Sequence, residues 1–559
     1  MKRLSALFAT TILAVAPAAA QTASPLPGAA PAPVASPAPA PAPMPQTPPK
    51  LIVAISVDQF SADLFAQYRS HFTDGFKRLQ TGVVFPSGYQ SHAATETCPG
   101  HSTILTGMRP AHTGIVANNW VDQSAPLEDK IIYCAEDESV PGSTHEKYTV
   151  TDKHLKVPTL GEMMKAADPR TRVVSVAGKD RAAVMMGGHK VDELWWWDGK
   201  KYVSYAGRAE PAVITRANTA IADLVARPQA PLPLPAYCQA TDRAVQVGTQ
   251  SLGTGRFARE PGDYKNFRIS PAADAATLSI AAAFIQSMAL GKGPQTDIIS
   301  IGASATDYIG HAYGTEGSEM CIQMAQLDEA LGSFFDTLDG FGVDYEVVLT
   351  ADHGAHDMAE RQQEHAMPMD QRALAAVSTK AADAAVAAKL GLKSPVIFAA
   401  EGDIYVNTAL PAATRPKVIE ATRAYYAALP QVAAAFPRAA IAATPMPSGP
   451  PESWTLIQRA RASFDAQRSG DLLILLKPRV TTIEKPGVGY VETHGSPWDY
   501  DRRVPIIFWR KGLPGFEQPL SVETVDIVPT LAATIGLPVK GLDGRCLDID
   551  ASAATTCPR

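Results

Sequence analysis

The chain has 559 residues, 46% of them hydrophobic, and a formal charge of −6. That is enough chain for a large catalytic core with insertions, and it is ordinary globular composition. The acidic balance argues against a nucleic-acid binder, which carries a basic face.

In chain order, the first feature is a leader. Lys2 and Arg3 precede a short apolar stretch from Leu4 to Val15, and Ala18-Ala19-Ala20 fits a cleavage site before Gln21. Residues 1–20 therefore read as a signal peptide, and the apolar stretch is too short to span a bilayer. No later run is long enough to span one. Residues 21–50 are rich in Pro and Ala and read as an extended tether. The folded part is expected from Leu51 to the end. Export makes disulfides possible for the six cysteines, and Cys546 with Cys557 is the best candidate pair.

Short continuous apolar runs at 51–57, 172–176, 297–301, 345–350 and 504–509 have the look of buried parallel strands. Residues 273–290 and 320–338 carry helical spacing between them. Alternating strands and helices predict an α/β fold, a central, mostly parallel sheet sandwiched by helices. In such sheets the site lies outside the carboxyl ends of the strands. The runs reach Asp58, Lys179, Asp307 and Asp352 at that end or just beyond it. Residues near 190–270, with Trp195-Trp196-Trp197, and 370–470, with Ala-rich helices, read as inserted caps over the core.

Four segments carry metal-ligand chemistry: Asp58; Asp307 with His311; Asp352 with His353; and His494. Carboxylate oxygen and neutral imidazole suit Zn²⁺. One such pair alone would say little, but several at strand ends point to one site. The other nine histidines, His356 and His365 among them, read as ordinary structural or surface residues. Pro99 suits the start of a helix, which places Thr97 at an N-terminus where free amides attract anions. A hydroxyl there is either a plain cap or a nucleophile that needs activation.

The segments Thr97-Cys98-Pro99-Gly100-His101, Gly107-Met108-Arg109-Pro110, 112–118, Thr350-Ala351-Asp352-His353-Gly354 and 524–531 resemble motifs of the alkaline phosphatase superfamily, in its threonine-nucleophile, single-chain bacterial branch. Nucleotide pyrophosphatase/phosphodiesterases are cousins. The resemblance runs from about Leu51 to the end. It implies an alkaline phosphatase-like fold and a zinc-dependent hydrolase of small phosphate monoesters, periplasmic or secreted, acting through a phosphothreonine.

By the same resemblance, Asp307, His311 and His494 hold one Zn²⁺, and Asp58, Asp352 and His353 hold the other. Thr97 is the nucleophile and touches metal, Asn118 binds a phosphoryl oxygen, and Lys179 and Arg181 are the cationic pair of the monoesterases. A structural Ca²⁺ is an expectation from relatives only. The sulfatase motif ends in Arg, where this chain has His101. A phosphodiesterase of the same superfamily is the alternative enzyme, and a non-catalytic phosphate- or metal-binding protein is the alternative outside enzymes. Nothing in the sequence suggests an obligate protein partner.

Overall fold

A computed structural model describes residues 47–550 and 555–558. The leader and most of the tether lie outside the described residues. The described residues begin slightly before the expected start at Leu51. The Lys50 and Leu51 amides donate to the Asp344 carbonyl (3.0 and 3.2 Å), and Arg510 donates to the carbonyl of Thr47 (2.9 Å).

A ten-stranded sheet forms the centre. Its strands are β1 (Leu51–Val57), β2 (Val83–Tyr89), β3 (Val173–Ala177), β4 (Glu193–Trp197), β5 (Tyr202–Val203), β6 (Asp297–Ala303), β7 (Tyr345–Thr350), β8 (Arg503–Arg510), β9 (Phe516–Glu517) and β10 (Val522–Glu523). The order across the sheet is β9-β2-β8-β7-β1-β6-β3-β4-β5, with β10 also on β2. The middle run β7-β1-β6-β3-β4 is parallel throughout.

The apolar runs explain this order. Every residue of β1 is buried. Leu51, Val53, Ile55 and Val57 enter one core, while Ile52 and Ala54 enter another on the opposite face. A strand alternates its side chains between faces, so only a strand covered on both sides can be apolar at every position. Helices Pro271–Ser287 and Ser318–Gly340 supply the first cover, and Leu160–Ala167 with Ile527–Thr534 the second. Each large aliphatic side chain buried this way stabilises the fold by about 1.5–3 kcal/mol.

Two expectations need correction. Residues 504–509 do form a strand, but β8 runs antiparallel to β7. The chain reaches it from residues 494–502, which already stand at the carboxyl end of the sheet: the amide of Gly354, just beyond β7, donates to the Asp501 carbonyl (2.7 Å). A strand leaving that end must run back down. The tryptophan triplet is not part of a cap either. It lies in β4, parallel to β3, and Trp195 and Trp197 pack into the main core.

Residues 379–476 hold a second, smaller sheet with a core of its own. A four-stranded sheet (Ile397–Ala400, Asp403–Val406, Leu472–Leu476 and Val432–Pro437) packs with helices Thr379–Leu390 and Arg415–Ala427 around its own core. Among the described residues no helix is long and apolar enough to cross a membrane.

Candidate active site

Thr97 opens the helix Thr97–Ile104 and is fully buried. The helix can lie against the loop after β7 because position 100 is glycine. A Cβ there would overlap the Asp352 carbonyl oxygen. Asn118 Oδ1 accepts the Cys98 amide (2.8 Å), and the Asn118 amide donates to Glu96 (2.7 Å). These two bonds join the loop carrying Asn118 to the start of the Thr97 helix.

Lys179, just past β3, reaches Asp58 (2.9 Å) and Asp307 (2.6 Å). Burial disfavours its charge, but the carboxylates of Asp307 and Asp58 raise its pKa above the usual lysine value. Lys179 Nζ and Arg181 Nη2 each lie 3.5 Å from Thr97 Oγ1. Both of these neighbours of the Thr97 hydroxyl are therefore cations, and neither can accept its proton.

The histidines share one design. Nδ1 of His311 faces the Glu492 carbonyl (2.7 Å), that of His494 the Thr95 carbonyl (2.8 Å), that of His353 the Gly354 carbonyl (3.0 Å) and that of His101 the Thr97 carbonyl (2.9 Å). A carbonyl only accepts, so each Nδ1 carries the hydrogen and each Nε2 is left as the variable position. Those Nε2 atoms face carboxylates. His311 and His494 lie 3.4 and 3.3 Å from Asp307, His353 lies 3.2 Å from Asp352, and His101 lies 3.3 Å from Asp58.

A lone pair opposite a carboxylate repels it unless a proton or a metal cation stands between. Burial, with the nearby charge of His353, lowers His494 to about 4, so its Nε2 remains a lone pair at neutral pH. His101 goes the other way. Burial opposes its charge, yet Asp352 and Asp58 carry it up to about 10. Both oxygens of Asp58, Asp352 Oδ2 and His353 Nε2 are buried without a well-formed hydrogen bond. The donor set therefore fits hard-to-borderline divalent cations.

Two clusters have ligand atoms within 4.8 Å of one another: Asp307 with His353 and His494, and Asp58 with His101 and Asp352. All the expected metal ligands thus meet at one place. His353 bridges the two expected sets, lying 3.9 Å from Asp307 as well. His311 joins through Asp307.

The family described as Type I phosphodiesterase / nucleotide pyrophosphatase matches residues 52–497, a span holding every one of these side chains. The chain belongs to this family. It is an enzyme of the alkaline phosphatase superfamily. It is 61% identical over 519 residues to alkaline phosphatase PhoK of Sphingomonas sp, covering 91% of this chain and 93% of that protein. It is 49% identical to alkaline phosphatase PhoD of Zymomonas mobilis, covering 91% and 89%. The crystal structure of alkaline phosphatase PafA superposes with a TM-score of 0.78 at 26% identity, over 89% of this chain and 98% of that one.

In this family member a cavity of about 540 Å³ opens over the site, lined by Glu96, Asn118, Arg181, His311 and His494 on one side and by Glu401 and Asp403 of the cap layer on the other. Sequence reading missed two participants. His101, counted among the ordinary histidines, stands one helical turn after Thr97 and so on the same face. Gln59, next to Asp58, adopts a left-handed backbone (φ 67°), from which its amide donates to Asp352 (3.1 Å) and its side chain to Asp307 (3.4 Å) and Glu492 (3.3 Å). A conformation that uncommon for a non-glycine residue fits its role of tying three carboxylates together.

Disulfides join Cys98 to Cys134, Cys238 to Cys321 and Cys546 to Cys557. The last is the pair expected from the sequence. No further cluster with metal-ligand spacing occurs among the described residues, so the expectation of calcium gains no support.

Proposed function

We propose that this enzyme hydrolyses small phosphate monoesters at alkaline pH outside the cytoplasm, with two zinc ions and Thr97 as nucleophile. The observation that carries the reading is the meeting of Lys179 and Arg181 on Thr97 Oγ1. Two fixed positive charges beside the nucleophile suit a phosphoryl group carrying two negative charges. The relatives named alkaline phosphatases agree with it.

Bound zinc would polarise the phosphoryl oxygens and lower the pKa of the Thr97 hydroxyl, which has no neutral base beside it. Asp307, His311 and His494 are proposed to hold one ion, and Asp58, Asp352 and His353 the other. Thr97 Oγ attacks phosphorus, the ester oxygen leaves, and phosphothreonine forms. Water then cleaves the new bond and restores the hydroxyl. Arg181 and the side-chain amide of Asn118 hold the non-bridging oxygens. The positive end of the Thr97 helix dipole favours the same charge.

Export is supported by the leader-like N-terminus and by three disulfides, which persist in oxidising compartments. Weak diester hydrolysis is expected alongside, since the 540 Å³ cavity has room for a second ester substituent.

The test is metal analysis paired with monoester and diester assays on one preparation. Two zinc ions per chain, activity lost on chelation and restored by zinc, and a clear preference for monoesters are expected. Full activity after verified metal stripping, or a preference for diesters, refutes the reading.

A further inference from the structure

A second cavity, about 530 Å³, shares Arg181 with the first. Its wall also carries Lys179 and Arg268. Asp58 and Asp307 balance Lys179. Neither arginine has a carboxylate within ion-pair distance among the described residues, and the Nε atoms of both are buried without a hydrogen-bond partner. Trp197, 7% exposed, lines the same wall, and its Nε1 is also buried and unpartnered. Arg268 lays its guanidinium over the Tyr308 ring, 4.4 Å from the centre, and Lys179 lies 5.0 Å from the same ring.

The acids of this wall are already engaged. Asp180 accepts from Tyr133 (2.8 Å) and Tyr148 (2.7 Å), and Asp198 accepts the amides of Lys200 and Lys201 (2.8 Å each). The unpartnered nitrogens of Arg181, Arg268 and Trp197 are all donors. Asp180 and Asp198 keep their charges, but neither lies within ion-pair distance of a guanidinium, so the two arginines lack both an acceptor at Nε and a contacting anion. A group with several acceptor oxygens and negative charge satisfies both. The aromatic faces are less open to a ligand, since Trp197 packs on Tyr202, Tyr264 and Phe267.

We infer that this cavity is a second oxyanion site, next to the catalytic one, for a phosphate-class group. Two sources share that chemistry: inorganic phosphate leaving the first cavity, and the second phosphoryl group of a doubly phosphorylated substrate. The inference draws on the proposed function only for the role of Arg181. The orphan donors stand without it.

Calorimetric titration of inorganic phosphate into the zinc-loaded enzyme tests it. The parent should bind two phosphates per chain, of which a monoester displaces one. Arg268→Ala should bind one, with monoester kcat/KM within about threefold of the parent, because Arg268 touches neither Thr97 nor the ligand clusters. Arg268→Lys should keep the second phosphate with affinity reduced about tenfold, as loss of one charge-assisted contact predicts. If Arg268→Ala does not fold, Trp197→Phe serves instead and should weaken the second phosphate about fivefold. A single phosphate on the parent, or two unaltered phosphates on Arg268→Ala, overturns the inference. A chain that binds the Arg268-dependent phosphate but cleaves no monoester keeps it and sinks the proposed function instead. A matched pair of substrates, with one and two phosphoryl groups, separates the sources. A fall of about tenfold in Arg268→Ala for the doubly phosphorylated one alone assigns the site to substrate, and no change for either assigns it to free phosphate.

Discussion

The floor of the site and the cap above it are built on opposite terms. Asp58, Asp307, Asp352 and His353 are at most 1% exposed and follow strands whose every residue is buried. The cap layer, residues 379–476, has its own sheet and its own core. It faces the cavity with Glu401 and Asp403, yet among the described residues it makes no hydrogen bond to Thr97 or to the ligand carboxylates and histidines. The carboxylates and histidines of the floor are thus fixed by the central sheet, while the cap bonds to segments beside them, at Ala93, Gly114 and Asn119.

Changes to the floor should therefore be severe. Thr97→Ala should lower turnover at least about a thousandfold with the metals retained, while Thr97→Ser, which keeps the hydroxyl, should stay within about tenfold. Steady-state kinetics beside metal analysis checks both. Parental turnover in Thr97→Ala would move the nucleophile elsewhere. Next in size is the double substitution Lys179→Ala with Arg181→Ala. Two charge-assisted contacts to a dianion are lost, so monoester kcat/KM should fall on the order of 10²–10⁴-fold. Diester kcat/KM should fall far less, because a monoanion gains less from those cations. Equal falls would make the pair structural.

The floor should also be sensitive to acid. His92 is fully buried, and burial lowers it to about 3. Its folded pKa lies below the unfolded value of about 6.5, so between these values the unfolded chain binds more protons. The stability tied to a neutral His92 is present above about pH 6.5 and is lost as pH falls toward 3. In metal-stripped protein, where zinc loss does not intrude, thermal melting should drop steeply over that window, and less steeply in His92→Gln. Parallel curves for the two would assign the acid sensitivity to other groups. The smallest effect belongs to the cap. Glu401 lines the cavity, accepts from Asn119 Nδ2 (3.0 Å) and is exposed. Glu401→Gln removes a negative charge facing an incoming dianion, so KM should fall about two- to threefold at low salt with kcat unchanged. A change in kcat would show that the cap takes part in the chemistry.

The same division governs what the sequence discloses. Strands buried on both faces are mostly apolar, so an acid at or just past the end of one stands out, as Asp58 and Asp352 do. The alkaline phosphatase-like sheet and the meeting of its ligands could be read that way. The direction of β8 could not, because an apolar run is the same in either direction and only the location of residues 494–502 decides it. His101 was legible in principle, four residues after Thr97 on one helix, but a lone histidine gives no sign of the carboxylates that two distant strands bring to it. Gln59 has no sequence signal, since nothing in its identity demands a left-handed backbone. The pairing of Cys98 with Cys134 depends on how the loop after Asn118 folds back, and spacing does not encode that.

That pairing places a redox-sensitive link inside the catalytic apparatus. Cys98 is the residue after Thr97, and Cys134 follows Tyr133, whose hydroxyl lies 3.4 Å from Arg181 and bonds Asp180. With the bond reduced, the helix bearing Thr97 and the segment bearing Tyr133 lose their covalent connection, and hydrogen bonds such as that from the Cys98 amide to Asn118 Oδ1 are left to align Thr97 with Arg181. Reduction of this disulfide is expected to lower phosphatase activity, which an assay with and without a thiol reductant checks.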